Sequence, residues 1–499
     1  MSKITDLETL SKLRVDWRSN GSTVVLCHGV FDLLHIGHLR HLEAASKLGD
    51  ILVVTVTPDR FVNKGYNRPA FNEHIRAEAI ASLVYVDYVA VNQWSDAVKT
   101  IKYIKPDVYA KGKRSIDASK TYMDALKREE EAVTSCGGKF VTTDELTFSS
   151  TRLINRYMSA ITDEALSYID VLSENYTGAD VVSFLDNIRD MSILIIGEAV
   201  IDEYCYGRTI GKSNKAPMLV FSTDRVERHA GVPLNIANNL SGFCDNVKLV
   251  AMVGNDWEKV IEDGLDNRVK FLPVIRQGAN TITKRRYVNE YPIGSVFEVY
   301  EFDSSPVRSG LINSSFDDAA KYDLVLVCDS GHGMLNKEAR SYLIKKSKYL
   351  AVNTQMNAGN TGRHSLRKYF KRKGNQLFCV NEREFILAMH EQLEDYHSID
   401  EAVEKFPGDI IVTRGPNGCV GKIGGRVATV PAMVNNVIDP VGAGDAFLSV
   451  VAPLACNNAP VEIVLFCGSV FASIATTYIG NKVSIEHDKI CKFIEGLFK

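Results

Sequence analysis

Short β-branched runs alternate repeatedly with helical patterns along this chain, interrupted once by a stretch without strand signal. The runs STVVLC, DILVVTV and VDYVAV are separated by helix-like stretches over Ile36 to Leu48 and Asn72 to Ser82. A second series starts at SILIIGEAVID and continues through NVKLVAMVG, KYDLVLVCDS, KYLAVN, NQLFCVN and DIIVTRG. Such alternation predicts parallel sheets with helices on both faces, which bind ligands at the carboxyl ends of their strands. The expected class is therefore α/β, with two doubly wound domains. The strandless, polar, helix-permissive stretch predicts a division into residues 1–157, a linker over 158–190, and residues 191–499. A length of 499 residues agrees with more than one core at roughly 150 residues per domain.

Composition narrows the partners. The net charge is -3 and no long Lys/Arg run appears, so no basic stripe is available for counterion release and nucleic acid is not an expected partner. Small anions need only local positive groups. No apolar run approaches the ~20 residues that cross a bilayer, so no membrane partner is expected either. The opening MSKITDLETLSKLRVDW mixes acids and bases and reads as neither signal nor transit peptide. Ten scattered Cys, none in a C-x-x-C pair, several inside apolar runs, read as reduced core residues of a cytoplasmic protein.

Within the first series, Cys27-His28-Gly29-Val30-Phe31-Asp32-Leu33-Leu34-His35-Ile36-Gly37-His38 follows an apolar strand and leads into a helix. His35 and His38 then share one face at a helix start, where imidazoles and the helix N-terminus can stabilise charge on a phosphate under attack. Alone, two His at this spacing read equally well as surface residues or half of a metal site. The stretch resembles the G-x-F-D-x-x-H-x-G-H signature of cytidylyltransferase-like nucleotidyltransferases. It looks most like the domain that makes ADP-heptose, with Gly49-Asp50, Lys64-Gly65, Arg68-Pro69, Val86-Asp87, Pro106-Asp107, Lys111-Gly112, Gly137-Gly138 and Phe148-Ser149-Ser150-Thr151-Arg152 in the family's order.

That resemblance implies a Rossmann-like fold and a set of roles. His35 and His38 would stabilise the transition state, and Lys64 would neutralise the α-phosphate or the attacking sugar phosphate. Ser150 and Thr151 would hold the β- and γ-phosphates, with Gly29, Phe31, Gly37 and Lys111 lining the nucleotide. Asp32 reads either as a polar or metal-linked positioning group or as a plain structural hydrogen bond, and Arg76 either as a substrate anchor or as a solvated charge. Class I aminoacyl-tRNA synthetases share H-I-G-H but pair it with a Lys-Met-Ser-Lys-Ser-type loop and a basic surface, and neither is present.

In the second series, Asp439-Pro440-Val441-Gly442-Ala443-Gly444-Asp445 stands between a strand-like run and an apolar helix. Small residues let successive backbone N–H groups converge on one anion while the Asp accepts a proton from a hydroxyl. Asp445 also reads as a helix N-cap. The element resembles the signature of the PfkB, or ribokinase-like, carbohydrate kinases, which implies an α/β/α fold with a small β lid. By that resemblance Asp445 is the catalytic base, and Gly442, Ala443 and Gly444 hold phosphoryl oxygens. Asp202, Gly231 and Asn235 bind the sugar, Asn381 and Glu384 organise Mg²⁺ indirectly, and Thr413 and Gly415 flank ATP. Lys284 and Arg286, with Arg285 between them, read either as ligands of a phosphate already on the sugar or as a solvated face.

Three positions depart from the heptose kinases. Ala230 replaces the first Gly of the sugar-binding pair. Asn353-Thr354-Gln355 replaces an Asp-Pro-Lys-like strand end, and Asp329-Ser330-Gly331-His332-Gly333 replaces Asp-Tyr-x-Lys-Gly. Together the two series resemble the bifunctional enzymes of ADP-heptose synthesis with their order reversed. The implied chemistry is ATP- and Mg²⁺-dependent phosphorylation of a sugar or sugar phosphate, heptose 7-phosphate at O1 being the leading substrate. Nucleotidyl transfer from ATP or CTP to a sugar 1-phosphate would follow, with release of pyrophosphate. Two alternatives remain from sequence: a CTP-dependent CDP-sugar or CDP-polyol synthase fused to a kinase, and a chain in which one domain is a silent binding module. Ribokinase-like domains often pair through the lid sheet, which makes a homodimer the expected assembly.

Overall fold

The computed structural model describes residues 3–62, 69–112, 120–143, 161–262, 264–290, 293–303, 318–361, 364–370, 374–393, 397–434, 437–482 and 484–498. The chain divides into two compact units, one of residues 1–159 with 489–497 and one of residues 160–488.

In the first unit, the strands β1 (Val24–Gly29), β2 (Ile51–Val56), β3 (Tyr88–Val91), β4 (Val108–Gly112) and β5 (Lys139–Thr143) pair in the order β3-β2-β1-β4-β5. All four pairings are parallel. Because helices cover both faces, a central strand such as β1 is apolar and buried along nearly its whole length. One face packs Val25, Cys27, Val54 and Val56 with Leu42 and Ile80, and the other packs Val24, Leu26, Val53 and Tyr109 with Leu10 and Ile101. Strand order reverses between β1 and β4, so a crevice opens at the carboxyl ends of those two strands.

Three acids of the nucleotidyltransferase-like pattern fix this sheet at its strand starts. The carboxylates of Asp50, Asp87 and Asp107 accept the backbone N–H of Thr23 at 2.7 Å, Leu52 at 2.8 Å and Val24 at 2.8 Å. Each satisfies a donor at the edge of the ladder.

In the second unit, the larger sheet is built from β6 (Ser192–Glu198), β9 (Asn246–Val253), β10 (Lys270–Ile275), β13 (Leu324–Asp329), β14 (Tyr349–Thr354), β15 (Gln376–Asn381), β16 (Asp409–Thr413), β17 (Cys419–Ile423) and β18 (Arg426–Val430). Among the described residues it has nine strands in the order β10-β9-β6-β13-β14-β15-β16-β17-β18. The pairings are parallel up to β16, and the last two strands run antiparallel. The order reverses between β6 and β13. A smaller sheet is built from β7 (Val200–Lys212), β8 (Leu219–Ala230), β11 (Ile282–Glu290) and β12 (Ile293–Glu301), four strands in the order β12-β11-β7-β8. It starts one residue after β6 ends, at the reversal point. Helices Asp163–Leu172 and Gly178–Asp186 occupy the stretch that carries no strand signal in sequence, each N-capped by a threonine hydroxyl, Thr162 and Thr177.

Candidate functional site

The crevice of the first unit is bounded by the ends of β1 and β4 and by the helix Ile36–Ser46. His35 caps that helix in an extended conformation, its Nδ1 accepting the N–H of Gly37 at 3.1 Å. The rings of His35 and His38 stack with centroids 3.9 Å apart and planes 24° apart, and Phe31 meets His38 edge-on at 5.4 Å. Phe31 holds this place at a φ of 48°, a left-handed conformation rare for a bulky residue and typical of over-determined sites. A Cβ on Gly29 would stand 3.0 Å from the Phe31 ring, so the glycine leaves room for it. The geometry thus gathers Gly29, Phe31, His35, Gly37 and His38 at one helix N-terminus, where donors and the helix dipole favour an anion.

Two cations of the first unit that the sequence offered as ligand groups are committed to protein partners. Lys111 Nζ lies 2.8 Å from Glu129 and 3.0 Å from the Tyr109 hydroxyl. Arg76 is neither a solvated charge nor turned to a ligand: it is 1% exposed. It donates to the carbonyls of Phe71 (2.8 Å), Thr57 (2.8 Å) and Val30 and to the Asp59 carboxylate (2.5 Å). Asp32 is buried and accepts the backbone N–H groups of Ala70 (2.6 Å) and Phe71 (3.3 Å), so of its two sequence readings the hydrogen-bond role is the one with partners on view. Lys64, Ser150 and Thr151 lie outside the described residues.

Two histidines that sequence reasoning passed over stand behind the crevice. His28 bridges Thr55 (2.9 Å) and Thr57 (3.2 Å), and His41 meets Thr143 at 2.8 Å. Burial first, then the Lys111 ammonium, push His28 down to about 3 and His41 down to about 4, so both are neutral at pH 7.

In the second unit the helix Ala443–Cys456 opens from Gly442, whose φ of 84° suits glycine. A Cβ there would stand 1.8 Å from the Asn481 side-chain oxygen. Asp445, in the first turn, is buried. Burial is the main cause that pushes its carboxyl up to about 7. The 3.3 Å hydrogen bond from Asn235 Nδ2 opposes that shift, as does the charge of Lys284, while Asp202 adds to it. A carboxyl at that value is matched to proton abstraction near neutral pH. Asp202 accepts from Arg286 at 2.5 Å, and a Cβ on Gly231 would come within 2.9 Å of its Oδ2, so only glycine permits this approach. Asp202, Gly231, Asn235, Lys284, Gly442 and Asp445 are therefore brought together.

Arg286 is ion-paired with Asp202 and Glu298, and Arg285 with Glu203 and Glu301. Among the described residues Lys284 makes no ion pair, its ammonium lying 5.3 Å from the centre of the Tyr300 ring. Asn381 and Thr413 stand side by side at the ends of β15 and β16. Glu384 accepts the backbone N–H of Asn381 at 2.9 Å and of Met356 at 3.0 Å, and Asn381 Oδ1 accepts that of Glu384 at 2.8 Å. Gly415, at a φ of 55°, begins the turn after β16.

Among the described residues no group of three or more His, Cys, Asp or Glu is placed to hold a metal by itself. Each oxygen of Glu384 has one backbone donor and keeps a lone pair. Such a donor set fits a hydrated Mg²⁺ that leans on nucleotide phosphates, and does not fit an all-protein cage.

The residues without a role from sequence here are Glu198 and Asp329, at the carboxyl ends of β6 and β13 where the strand order reverses. Glu198 accepts the backbone N–H groups of Ser330 (2.9 Å), His332 (3.2 Å) and Met334 (3.2 Å). Burial, and then the neighbouring Asp329 carboxylate, hold Glu198 well above the usual carboxylate range. Tyr369 donates to Asp329 at 2.7 Å. An acid closing each of two apolar runs, in GEAVID and VCDS, was the available signal.

With this geometry in view, a family model described as pfkB family carbohydrate kinase matches residues 190–488. The chain belongs to the pfkB family of carbohydrate kinases. Residues 26–156 match a second family model, described as cytidylyltransferase-like. The chain is similar to the Bifunctional protein HldE of Campylobacter fetus subsp. fetus, 36% identical over 156 residues that make up 31% of each chain. It is also similar to the protein of that name from Nitratiruptor sp., 39% identical over 111 residues, 22% of this chain and 24% of that one. The matched span is thus under a third of these relatives' own length. Among solved structures, phosphofructokinase-2 of Escherichia coli aligns with a TM-score of 0.48 at 16% identity, covering 62% of this chain and all of that one. Among the described residues no helix is long and apolar enough to cross a membrane.

Proposed function

We propose that the chain is a bifunctional enzyme of nucleotide-activated sugar synthesis, with residues 1–157 as nucleotidyltransferase, 158–190 as linker and 191–499 as kinase. The observation that carries the reading is Asp445: a buried carboxyl at a helix start, tuned to about 7 and facing Asn235, Asp202 and Lys284. In this reading Asp445 takes the proton from the anomeric hydroxyl of a sugar or sugar phosphate, with heptose 7-phosphate at O1 the leading substrate. The backbone N–H groups following Gly442 hold the γ-phosphoryl oxygens of ATP. Asp202, Gly231 and Asn235 orient the sugar, while Thr413 and Gly415 flank the nucleotide. Mg²⁺, held through the phosphates beside Asn381 and Glu384, would neutralise charge there.

The first unit then joins the anomeric phosphate so formed to a nucleoside monophosphate from ATP or CTP, any phosphate already on the sugar staying in place. His35 and His38 donate to the oxygens on which charge accumulates, Lys64, Ser150 and Thr151 are assigned to the triphosphate, and pyrophosphate leaves. We place the enzyme in the cytoplasm, a location consistent with ten cysteines that form no disulfide. As its assembly we propose a homodimer through the outer face of the four-stranded sheet, where Val226, Phe297 and Val299 are exposed.

The test is incubation of the purified protein with ATP or CTP, Mg²⁺ and a panel of heptose and other sugar phosphates, followed by mass spectrometry. A sugar bisphosphate and a nucleotide-sugar are expected. Their absence across the panel contradicts the reading, and the nucleotide consumed separates ADP-sugar from CDP-sugar synthesis.

A further inference from the structure

Strand register sets two polar rows across the inner face of the four-stranded sheet. Tyr300, Lys284, Asp202 and His229 lie abreast on β12, β11, β7 and β8, and Glu298, Arg286, Tyr204 and Glu227 form the next row. In the second row every charge has an opposite partner: Arg286 pairs with Glu298 and, across the rows, with Asp202, while Glu227 pairs with Lys482 at 2.6 Å. Among the described residues, Lys284 is the cation of these rows without an ion pair, and its neighbour is the face of Tyr300.

Tyr300 is itself tied across to the nine-stranded sheet. Its hydroxyl hydrogen-bonds Nε2 of His332, in the loop that follows β13. His332 is 1% exposed. Its ring meets Tyr300 edge-on at 5.5 Å and packs against Phe302 at 5.0 Å. The loop is immobilised on several sides: Glu198 accepts the N–H of His332, Arg276 donates to its carbonyl at 2.5 Å, and Asn357 Nδ2 lies 3.4 Å from Nε2. Lys284 in turn acts electrostatically on both Asp445 and His332. A cation over a ring is oriented by the ring face. A half-buried ammonium without an ion pair can meet an anionic group of the substrate.

We infer that Tyr300 and His332 are positioning residues of the phosphoryl-transfer site: their hydrogen bond fixes the ring that orients Lys284 toward the phosphoryl group in transit to the acceptor hydroxyl. This rests on the kinase reading given above. Lys284 would then stabilise charge that grows on the transferring group, so the tie acts on turnover more than on nucleotide binding.

The experiment is a double-mutant cycle on full-length protein, reading kcat and KM for phosphorylation with the sugar phosphate that wild type accepts. Pyrophosphate release by the first unit reports on integrity of the preparation. Tyr300→Phe, which keeps the ring, and His332→Ala are each expected to lower kcat ~10-fold or more with KM for ATP within about twofold of wild type. His332→Gln, which returns a hydrogen-bonding group near Nε2, should recover most of the loss. In a Lys284→Met background, Tyr300→Phe should have little further effect, because the residues act through one another. Equal losses on Tyr300→Phe in the wild-type and Lys284→Met backgrounds, or unchanged kcat in Tyr300→Phe and His332→Ala, overturn the inference while leaving the kinase reading intact. No phosphorylation by wild type overturns the kinase reading, and this inference with it.

Discussion

The two crevices lie at equivalent places, each at the carboxyl ends of the strands where a parallel sheet reverses its order, yet they are equipped for opposite tasks. In the first unit the groups at the helix start are two stacked imidazoles with no buried carboxylate beside them on the same turn. In the second, a carboxyl buried in the first helical turn is held near neutrality. The contrast follows from the nucleophiles we propose. A sugar phosphate already presents an anionic oxygen, so its site needs donors that stabilise charge on the phosphate being attacked. A sugar hydroxyl must lose a proton, so its site needs an acceptor of matched pKa. One architectural position thus supports either chemistry, depending on whether the helix start carries imidazole or carboxylate.

The comparison breaks most visibly at Asp445. Asp445→Asn preserves shape and removes the acceptor, and is expected to lower kcat of phosphorylation by ~10³-fold or more, with pyrophosphate release by the first unit unchanged when a sugar 1-phosphate is supplied. His35→Ala should do the reverse, lowering nucleotidyl transfer by ~10²-fold with phosphorylation intact. Because His35 also caps its helix, circular dichroism should show a small loss of stability, about 1 kcal/mol.

The pH dependence sharpens the contrast at smaller amplitude. Phosphorylation kcat/KM should fall about tenfold per pH unit below about 7, and that limb should be absent from nucleotidyl transfer. The same shift has a stability consequence of known sign. The Asp445 carboxyl lies above its unfolded value, so the stability it contributes is present at low pH and is lost as pH rises through about 7. Asp445→Asn should therefore raise Tm relative to wild type at pH 8, with the gain vanishing toward pH 4. The smallest effect on catalysis is expected at Arg76. Arg76→Met strands the carbonyls of Val30, Thr57 and Phe71, and should cost about 3 kcal/mol in urea unfolding, with the second unit's phosphorylation unaffected.

What could be read from sequence, and what could not, divides along the same physical line. Features set by neighbours in the chain were legible: the apolar strand before His35, the helix that starts there, the glycine at 442, and the acid one turn into the next helix. Partners set by strand register were not. Lys111 read in sequence as a group for a ligand and Arg286 as either that or part of a solvated face, yet Lys111 is committed to Glu129, and Arg286 to Asp202 and Glu298. The Arg76 side chain reaches four loop groups that no local pattern identifies, because its burial depends on how the chain returns past β2. Tyr300 is an ordinary aromatic in EVYEF until register places it beside Lys284. The acids of the nucleotidyltransferase-like pattern were legible as a pattern, but their work at strand starts became evident only from the carboxylate contacts.

The central claim, two independent chemistries on one chain, is tested most directly by complementation. Asp445→Asn and His35→Ala proteins are each incubated with ATP, CTP, Mg²⁺ and the accepted sugar phosphate, alone and mixed, and the products are followed by mass spectrometry. Asp445→Asn alone should leave the sugar phosphate unphosphorylated, His35→Ala alone should accumulate the bisphosphate, and the mixture should make a nucleotide-sugar that keeps the phosphate already on the sugar. Absence of the bisphosphate with His35→Ala alone, or a mixture that stops where the separate proteins stop, would contradict it.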